Sequence, residues 1–207
     1  MSNGFANPRE TWDARFARDD YIFGRAPNVF LTTQLPRLAP GCRVLCVADG
    51  EGRNSVWLAQ QGLIVTAFDI APRGVAKARD LAQQAGVEVD FHVAAVEQWS
   101  WTPATYDVVA AIFVQFAPPA VREKMFAGML QTLRPGGWLL LQGYTPRQLE
   151  YRTGGPPCAG HLYTAALLQQ AFAAHEIVEL REHDDMLAEG TQHSGMSALI
   201  DCIVRKC

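Results

Sequence analysis

The chain has 207 residues, 49% of them hydrophobic and 19% charged, with a formal net charge of −3. That length and composition fit one ordinary domain with its own core and exclude a disordered chain. The mildly acidic balance supplies no field for nucleic acid or an anionic lipid surface, no apolar run is long enough to span a membrane, and five scattered cysteines without a CxxC pair read as reduced thiols in a cytoplasmic protein.

The N-terminus is polar and acidic, unlike a secretory or transit segment. Residues 43–48 (RVLCVA) form a short apolar run after a Pro-Gly turn and read as a buried strand. A glycine-containing turn leads into a helix over about 53–61, which Gly62 closes. Residues 63–68 (LIVTAF) are a second strand, ended by Asp69, and Pro72 opens a helix that runs to Ala85. Residues 87–93 and 106–112 (YDVVAAI) are the third and fourth strands. A helix over about 119–133 is stopped by Arg134-Pro135-Gly136-Gly137, and residues 138–143 make the fifth strand. Residues 144–163 carry Gly154, Gly155, Pro156 and Pro157 without periodicity, and a loop of that length suggests function. After a helix over 164–174 come a strand over 176–182, a polar loop (HDDMLAEGTQHSG) and a last strand over 197–205.

Strands alternating with helices predict βαβ units around a parallel sheet, with right-handed crossovers placing helices on both faces. The expected fold is therefore α/β, a Rossmann-like three-layer sandwich in one domain over residues 1–207. No helix fits between the last two strands, so they should pair antiparallel as a hairpin at the sheet edge.

In an open parallel sheet, ligands bind beyond the carboxyl ends of the strands. The first strand ends in Ala48-Asp49-Gly50-Glu51-Gly52-Arg53-Asn54. Gly50 and Gly52 let the backbone approach a ligand closely, and free N–H groups of the following helix can hold an anionic group. Asp69 stands at the end of the second strand, where a carboxylate can accept hydrogen bonds from ribose hydroxyls. Together they point to a nucleoside-type cofactor. A dinucleotide site would want a third glycine, which is absent, and the terminal hairpin also argues against an NAD-dependent oxidoreductase.

The run 44–59 (VLCVADGEGRNSVWLA) resembles the first motif of class I S-adenosylmethionine (SAM)-dependent methyltransferases, and its Gly-x-Gly-Arg-Asn pattern resembles the tellurite-resistance and thiopurine methyltransferase-like group. Residues 133–141 (LRPGGWLLL), 12–31 (WDARFARDDYIFGRAPNVFL) and 189–195 (EGTQHSG) are similar to that group's fifth-strand turn, N-terminal arm and final loop, so the likeness covers almost the whole chain. It implies a seven-stranded, mostly parallel sheet with an antiparallel C-terminal strand. It implies that SAM is used and S-adenosylhomocysteine (SAH) released. It puts Asp49, Gly50 and Gly52 around the methionine part, Asp69 on the ribose and Ile70 on the adenine, with Asn54 also in the cofactor site. Ala95 and Val96 fall at the adenine edge, and Phe113 and Gln115 face the sulfonium. Cys46 and Ala48 replace an Asp and a Gly common in the class, and Ala95 stands where an Asp is common.

Three regions are expected to build the acceptor pocket: the arm over 1–35, the loop over 144–163 and the loop over 189–195. Their candidates are His193, His161 and Tyr151 for catalysis, and Tyr21, Phe23, Arg25 and Arg152 for substrate binding, with Tyr163 nearby. The aromatic residues could equally form a lid, and the arginines solvated charges. His183, Asp184, Asp185 and His193 match no standard metal spacing, and no metal is expected. Ser55 lacks a nucleophile elbow. The expected function is methyl transfer from SAM to a small-molecule acceptor, a chalcogen oxyanion (tellurite or selenite) or a thiol, by a monomer or homodimer without nucleic-acid or membrane partners. The alternative is a regulatory protein that binds SAM or SAH without chemistry.

Overall fold

The computed structural model describes residues 7–207; the first six residues of the expected arm lie outside the described residues. Seven strands form one sheet in the order β3-β2-β1-β4-β5-β7-β6. They are β1 (Arg43–Val47), β2 (Ile64–Asp69), β3 (Asp90–Val93), β4 (Tyr106–Ile112), β5 (Leu133–Tyr144), β6 (Glu176–Glu189) and β7 (His193–Arg205). Strands β1 to β5 pair in parallel, and β7 runs antiparallel to both β5 and β6. The seven-stranded, mostly parallel sheet with an antiparallel C-terminal strand is thus the observed fold.

The helices are α1 (Pro8–Arg15), α2 (Val29–Thr33), α3 (Arg53–Gln60), α4 (Pro72–Ala85), α5 (Pro119–Thr132), α6 (Gln148–Tyr151) and α7 (Ala165–Ala171). Their ends follow local chemistry. Asn7, Asn28 and Thr164 each cap a helix with a side-chain oxygen, and Pro72 and Pro119 sit at helix starts, where no backbone donor is needed. None of these helices is long and apolar enough to cross a membrane.

Alternate side chains of the central strands serve opposite faces. Leu45 and Val47 of β1, Val109 of β4 and Leu139 and Leu141 of β5 pack with Met125, Phe126 and Met129 of α5. Val44 and Cys46 of β1, Val108 of β4 and Leu140 of β5 pack with Leu58 of α3 and Ala78 and Leu81 of α4. Burial on both faces is why these strands read as continuous apolar runs rather than alternating ones.

Three expected boundaries are corrected. The stretch 183–195, expected to be a polar loop, is strand apart from a turn at 190–192, with Met186 opposite Met196 and Leu187 opposite Gly195. As the outer strand, β6 carries Arg181, Glu182, His183, Asp184 and Asp185 exposed or half-buried on both of its faces, so it looks like a loop by polarity. Strand β5 begins at Leu133, directly after α5, with a register irregularity where the Arg-Pro-Gly-Gly turn was expected. Within 144–163, α6 and a short 3₁₀ turn (Ala159–His161) break the expected loop.

Candidate active site

A cavity of about 410 Å³ opens at the carboxyl ends of β1, β2 and β4. That is the size and position expected of a small-ligand site in an open α/β sheet. Ala48 after β1 (φ +49°) and Phe113 after β4 (φ +56°) both line it in left-handed backbone, which non-glycine residues seldom adopt. Such strain at two adjacent strand ends marks a site that the surrounding fold holds in place.

One half of the cavity is acidic. The Asp69 carboxylate accepts hydrogen bonds from the backbone N–H groups of Gly50 and Ala71, each at 2.9 Å, and thereby shapes the glycine turn. Burial pushes Asp69 up to about 6 against these bonds. Asp49 accepts a hydrogen bond from the Ser55 hydroxyl, and burial, helped by the nearby charge of Asp69, lifts it to about 7. Ionisation of both is disfavoured without a cation, so this half suits a positively charged ligand. Phe68, Ile70 and Val96 add apolar wall beside it.

The other half is aromatic. Phe23, Phe113 and Tyr144 surround His193, with ring centroids 4.6, 4.4 and 5.6 Å from the imidazole. Trp12 and Phe16 of the arm continue the wall. His193 is buried, and its Nδ1 stands 3.8 Å from Glu189 Oε2, beyond hydrogen-bond reach. Burial lowers its pKa, opposed by Glu189 and reinforced by Arg53, so the imidazole is neutral near pH 7. Glu189 is ionised: burial would raise it, but His193 and Arg53 hold it at about 2. Glu189 in turn accepts from Arg53 Nη2 at 2.7 Å and from Asn28 Nδ2 at 3.0 Å.

The arm closes the cavity through specific bonds. Glu51 accepts from Phe23 N at 3.4 Å while also pairing with Lys77 of α4. Arg15 donates to Gln192 Oε1 at 2.9 Å, and Thr191 N and Gln192 N both donate to the carbonyl of Ile22. Gly190 (φ +71°) sits so close to the arm that a Cβ there would lie 2.4 Å from Gly24 N and Ile22 O.

Among the residues singled out by sequence, Asp49, Gly50, Asn54, Asp69, Ile70, Val96, Phe113, Gln115, Phe23 and His193 line this cavity. Seven do not. Gly52 lies behind the wall, where a Cβ would be 2.7 Å from Ala78 Cβ; it lets α3 pack on α4. Ala95 is absent from the lining, its carbonyl accepting from Gln98 N and Trp99 N, while Ala94, Val96 and Glu97 line the cavity. His161 braces the loop by bonding Gln115 O at 3.1 Å. Tyr151 reaches outward to Asp184 at 2.9 Å. Tyr21 donates to Lys77 O at 3.0 Å, and Arg25 lies over its ring and bonds Gln84. Arg152 is exposed. Gly52 and Ala95 are placed by resemblance, and for the arm and loop residues the sequence gives no side-chain direction. Gln115 lines the cavity, but its amide is engaged at both ends by the backbone of Tyr144. Conversely, Arg15, Arg53 and Tyr144 line the cavity without a role assigned from sequence. The Arg-Asn pair after the second glycine was the one signal that could have found Arg53.

The sheet order is that of a Rossmann-like methyltransferase fold. Comparison with known proteins agrees. Residues 44–137 match the family described as methyltransferase domain. A ubiquinone biosynthesis O-methyltransferase from Xylella fastidiosa is 35% identical over 127 residues, which cover 60% of this chain and 46% of that relative. The chain spans less than half the length of the curated relatives it matches. Among solved structures, one from work on conversion of a disulfide bond into a thioacetal group during echinomycin biosynthesis superposes with a TM-score of 0.80 at 17% identity, covering 97% of this chain and 92% of that one. The N-methyltransferase NodS from Bradyrhizobium japonicum, in complex with SAH, superposes with a TM-score of 0.71 at 18% identity, covering 96% and 97%.

Proposed function

We propose that this protein is a SAM-dependent methyltransferase acting on a small-molecule acceptor. The observation that carries the reading is one continuous cavity with an acidic, glycine-turned half beside an aromatic half that buries a neutral histidine. When bound, SAM supplies a methyl group already activated by its positive sulfur. The residues present fit it. Asp69 retains lone pairs beyond its two backbone bonds for ribose hydroxyls, and Asp49 offers charge to the cationic methionine end. Phe68, Ile70 and Val96 flank the adenine.

The protein's own work is alignment and exclusion of water, which can supply on the order of 7–11 kcal/mol of a barrier. The arm and the 190–192 turn seal the acceptor half. Neutral His193 accepts a proton when the methylated atom is protic. Resemblance to the tellurite-resistance and thiopurine group brings chalcogen oxyanions and thiols forward as acceptors, and relatives named O-methyltransferases bring forward oxygen acceptors.

The test is SAH formation from SAM in the presence of tellurite, selenite, thiophenol and catechol, each offered separately. Turnover of at least one acceptor is expected. SAH binding without turnover of any of them would leave a binding protein without chemistry and contradict the reading.

A further inference from the structure

Among the described residues, two buried polar groups at the acceptor end of the cavity lack a hydrogen-bond partner, Arg53 Nη1 and Tyr144 Oη, and His193 Nδ1 beside them reaches only Glu189 Oε2, at 3.8 Å. Their residues are 6%, 1% and 7% exposed, and all three line the cavity. They are close to one another. Arg53 Nη2 and His193 Nδ1 lie 2.7 and 3.8 Å from the same oxygen of Glu189. The Tyr144 and His193 rings are 5.6 Å apart, and a Cβ on Gly154 would be 2.8 Å from Tyr144 Oη and 3.4 Å from His193 Cδ2.

Buried polar groups in folded proteins are nearly always paired, because an orphan costs about 1–3 kcal/mol. Two such donors side by side on one cavity wall are groups awaiting a ligand. Both have a fixed character. Arginine cannot lose its proton, and burial pushes the Tyr144 hydroxyl far above its ordinary pKa, so both are donors. Charge says more. Arg53 and Glu189 cancel, and among the described residues Arg15 donates to the neutral Gln192 amide and lies over the face of Trp12. Arg15 thus adds positive charge beside His193, while the carboxylates of Asp49 and Asp69 belong to the other half of the cavity.

We infer that Arg53 Nη1 and Tyr144 Oη, beside His193, form a subsite for a singly charged oxyanion carried by the methyl acceptor. This inference rests on the methyltransferase reading and narrows it toward acceptors with an anionic oxygen and away from neutral thiols. The same chemistry is carried by the carboxylate of the cofactor's methionine end. Tyr144 and His193 stand at β5 and β7, but Arg53 follows the glycine turn after β1, so the cofactor's carboxylate is the competing source that the test must separate.

The test is calorimetric titration of wild type, Tyr144→Phe and Arg53→Lys with SAH, with 5′-methylthioadenosine, and with selenite and benzoate added to SAH-loaded protein. Tyr144→Phe removes a hydroxyl with no close hydrogen-bond partner among the described residues, so its thermal midpoint should be unchanged or raised. Arg53→Lys keeps the charge facing Glu189 and removes the second donor. At least one of the two anions should bind SAH-loaded wild type, at least tenfold more weakly to each variant, with SAH affinity unchanged. Anion binding that survives Tyr144→Phe, or no anion binding to SAH-loaded wild type, would overturn the subsite. Loss of SAH but not 5′-methylthioadenosine affinity in the variants would assign the cluster to the cofactor's carboxylate and overturn it too. Failure of wild type to bind SAH would instead overturn the methyltransferase reading itself, and the subsite with it.

Discussion

Asp69 shapes its own loop before it meets any ligand: its two oxygens hold Gly50 N and Ala71 N. Asp69→Ala should therefore loosen the turn and remove the ribose contact together, weakening SAH binding at least tenfold, about 1.4 kcal/mol, in a calorimetric titration. Its pKa of about 6, with Asp49 at about 7, also fixes a pH dependence. Both folded-state values lie above the unfolded carboxylate range, so the native state holds more protons than the unfolded chain between about pH 4 and 7. Stability of the ligand-free protein should be greatest at the acid end of that window and fall as pH rises through 6 and 7. Affinity for cationic SAM should move the other way and increase over the same range, because binding favours the ionised carboxylates. Thermal melts and SAM titrations at pH 5.5 and 8 check both signs. Parallel trends would show that these carboxylates do not face the cofactor. At His193, replacement by Ala should lower turnover at least tenfold more than it lowers SAH affinity, read from steady-state rates against titration. Equal losses in both would remove it from the acceptor side.

The β6–β7 hairpin and the arm act as a pair. The turn at 190–192 grips the carbonyl of Ile22, and there is no room for a Cβ at Gly190. Gly190→Ala should destabilise the protein by more than about 1 kcal/mol, since it adds a left-handed alanine to a collision with backbone. Limited proteolysis should then cut within residues 16–25 faster than in wild type; an unchanged cleavage rate would show that the arm is held from elsewhere. This pairing was poorly legible in the sequence. The apolar runs that become β1, β2 and β4, the prolines that open α4 and α5, and the turn 48–52 could be read directly, because each depends on local pattern and caps. The hairpin beyond residue 182 could not. Its polar outer strand imitates a loop, and its partners lie more than 150 residues away in the arm. The same distance hid the roles of Arg53 and Tyr144, whose meaning comes from Glu189 and His193 across the sheet.

At the scale of the whole molecule, the sheet order puts β1 and β4 side by side at the point where the chain reverses direction across the sheet. Every strand end that lines the cavity therefore faces one opening, and the added hairpin and arm convert that opening into a covered chamber. A network of buried polar side chains ties these additions to the sheet: Asn28 bonds Gln142 and Glu189, and Gln142 bonds Asp201, which receives Arg181 and His183 of the outer strand. Such a network holds the chamber walls in one register, provided each member is satisfied. The measurement that bears most directly on the whole reading is calorimetric titration of purified protein with SAH at neutral pH. One site per chain with micromolar or tighter affinity is the expected result; no heat of binding at millimolar SAH would mean that the cavity does not hold this cofactor and that the methyltransferase assignment is wrong.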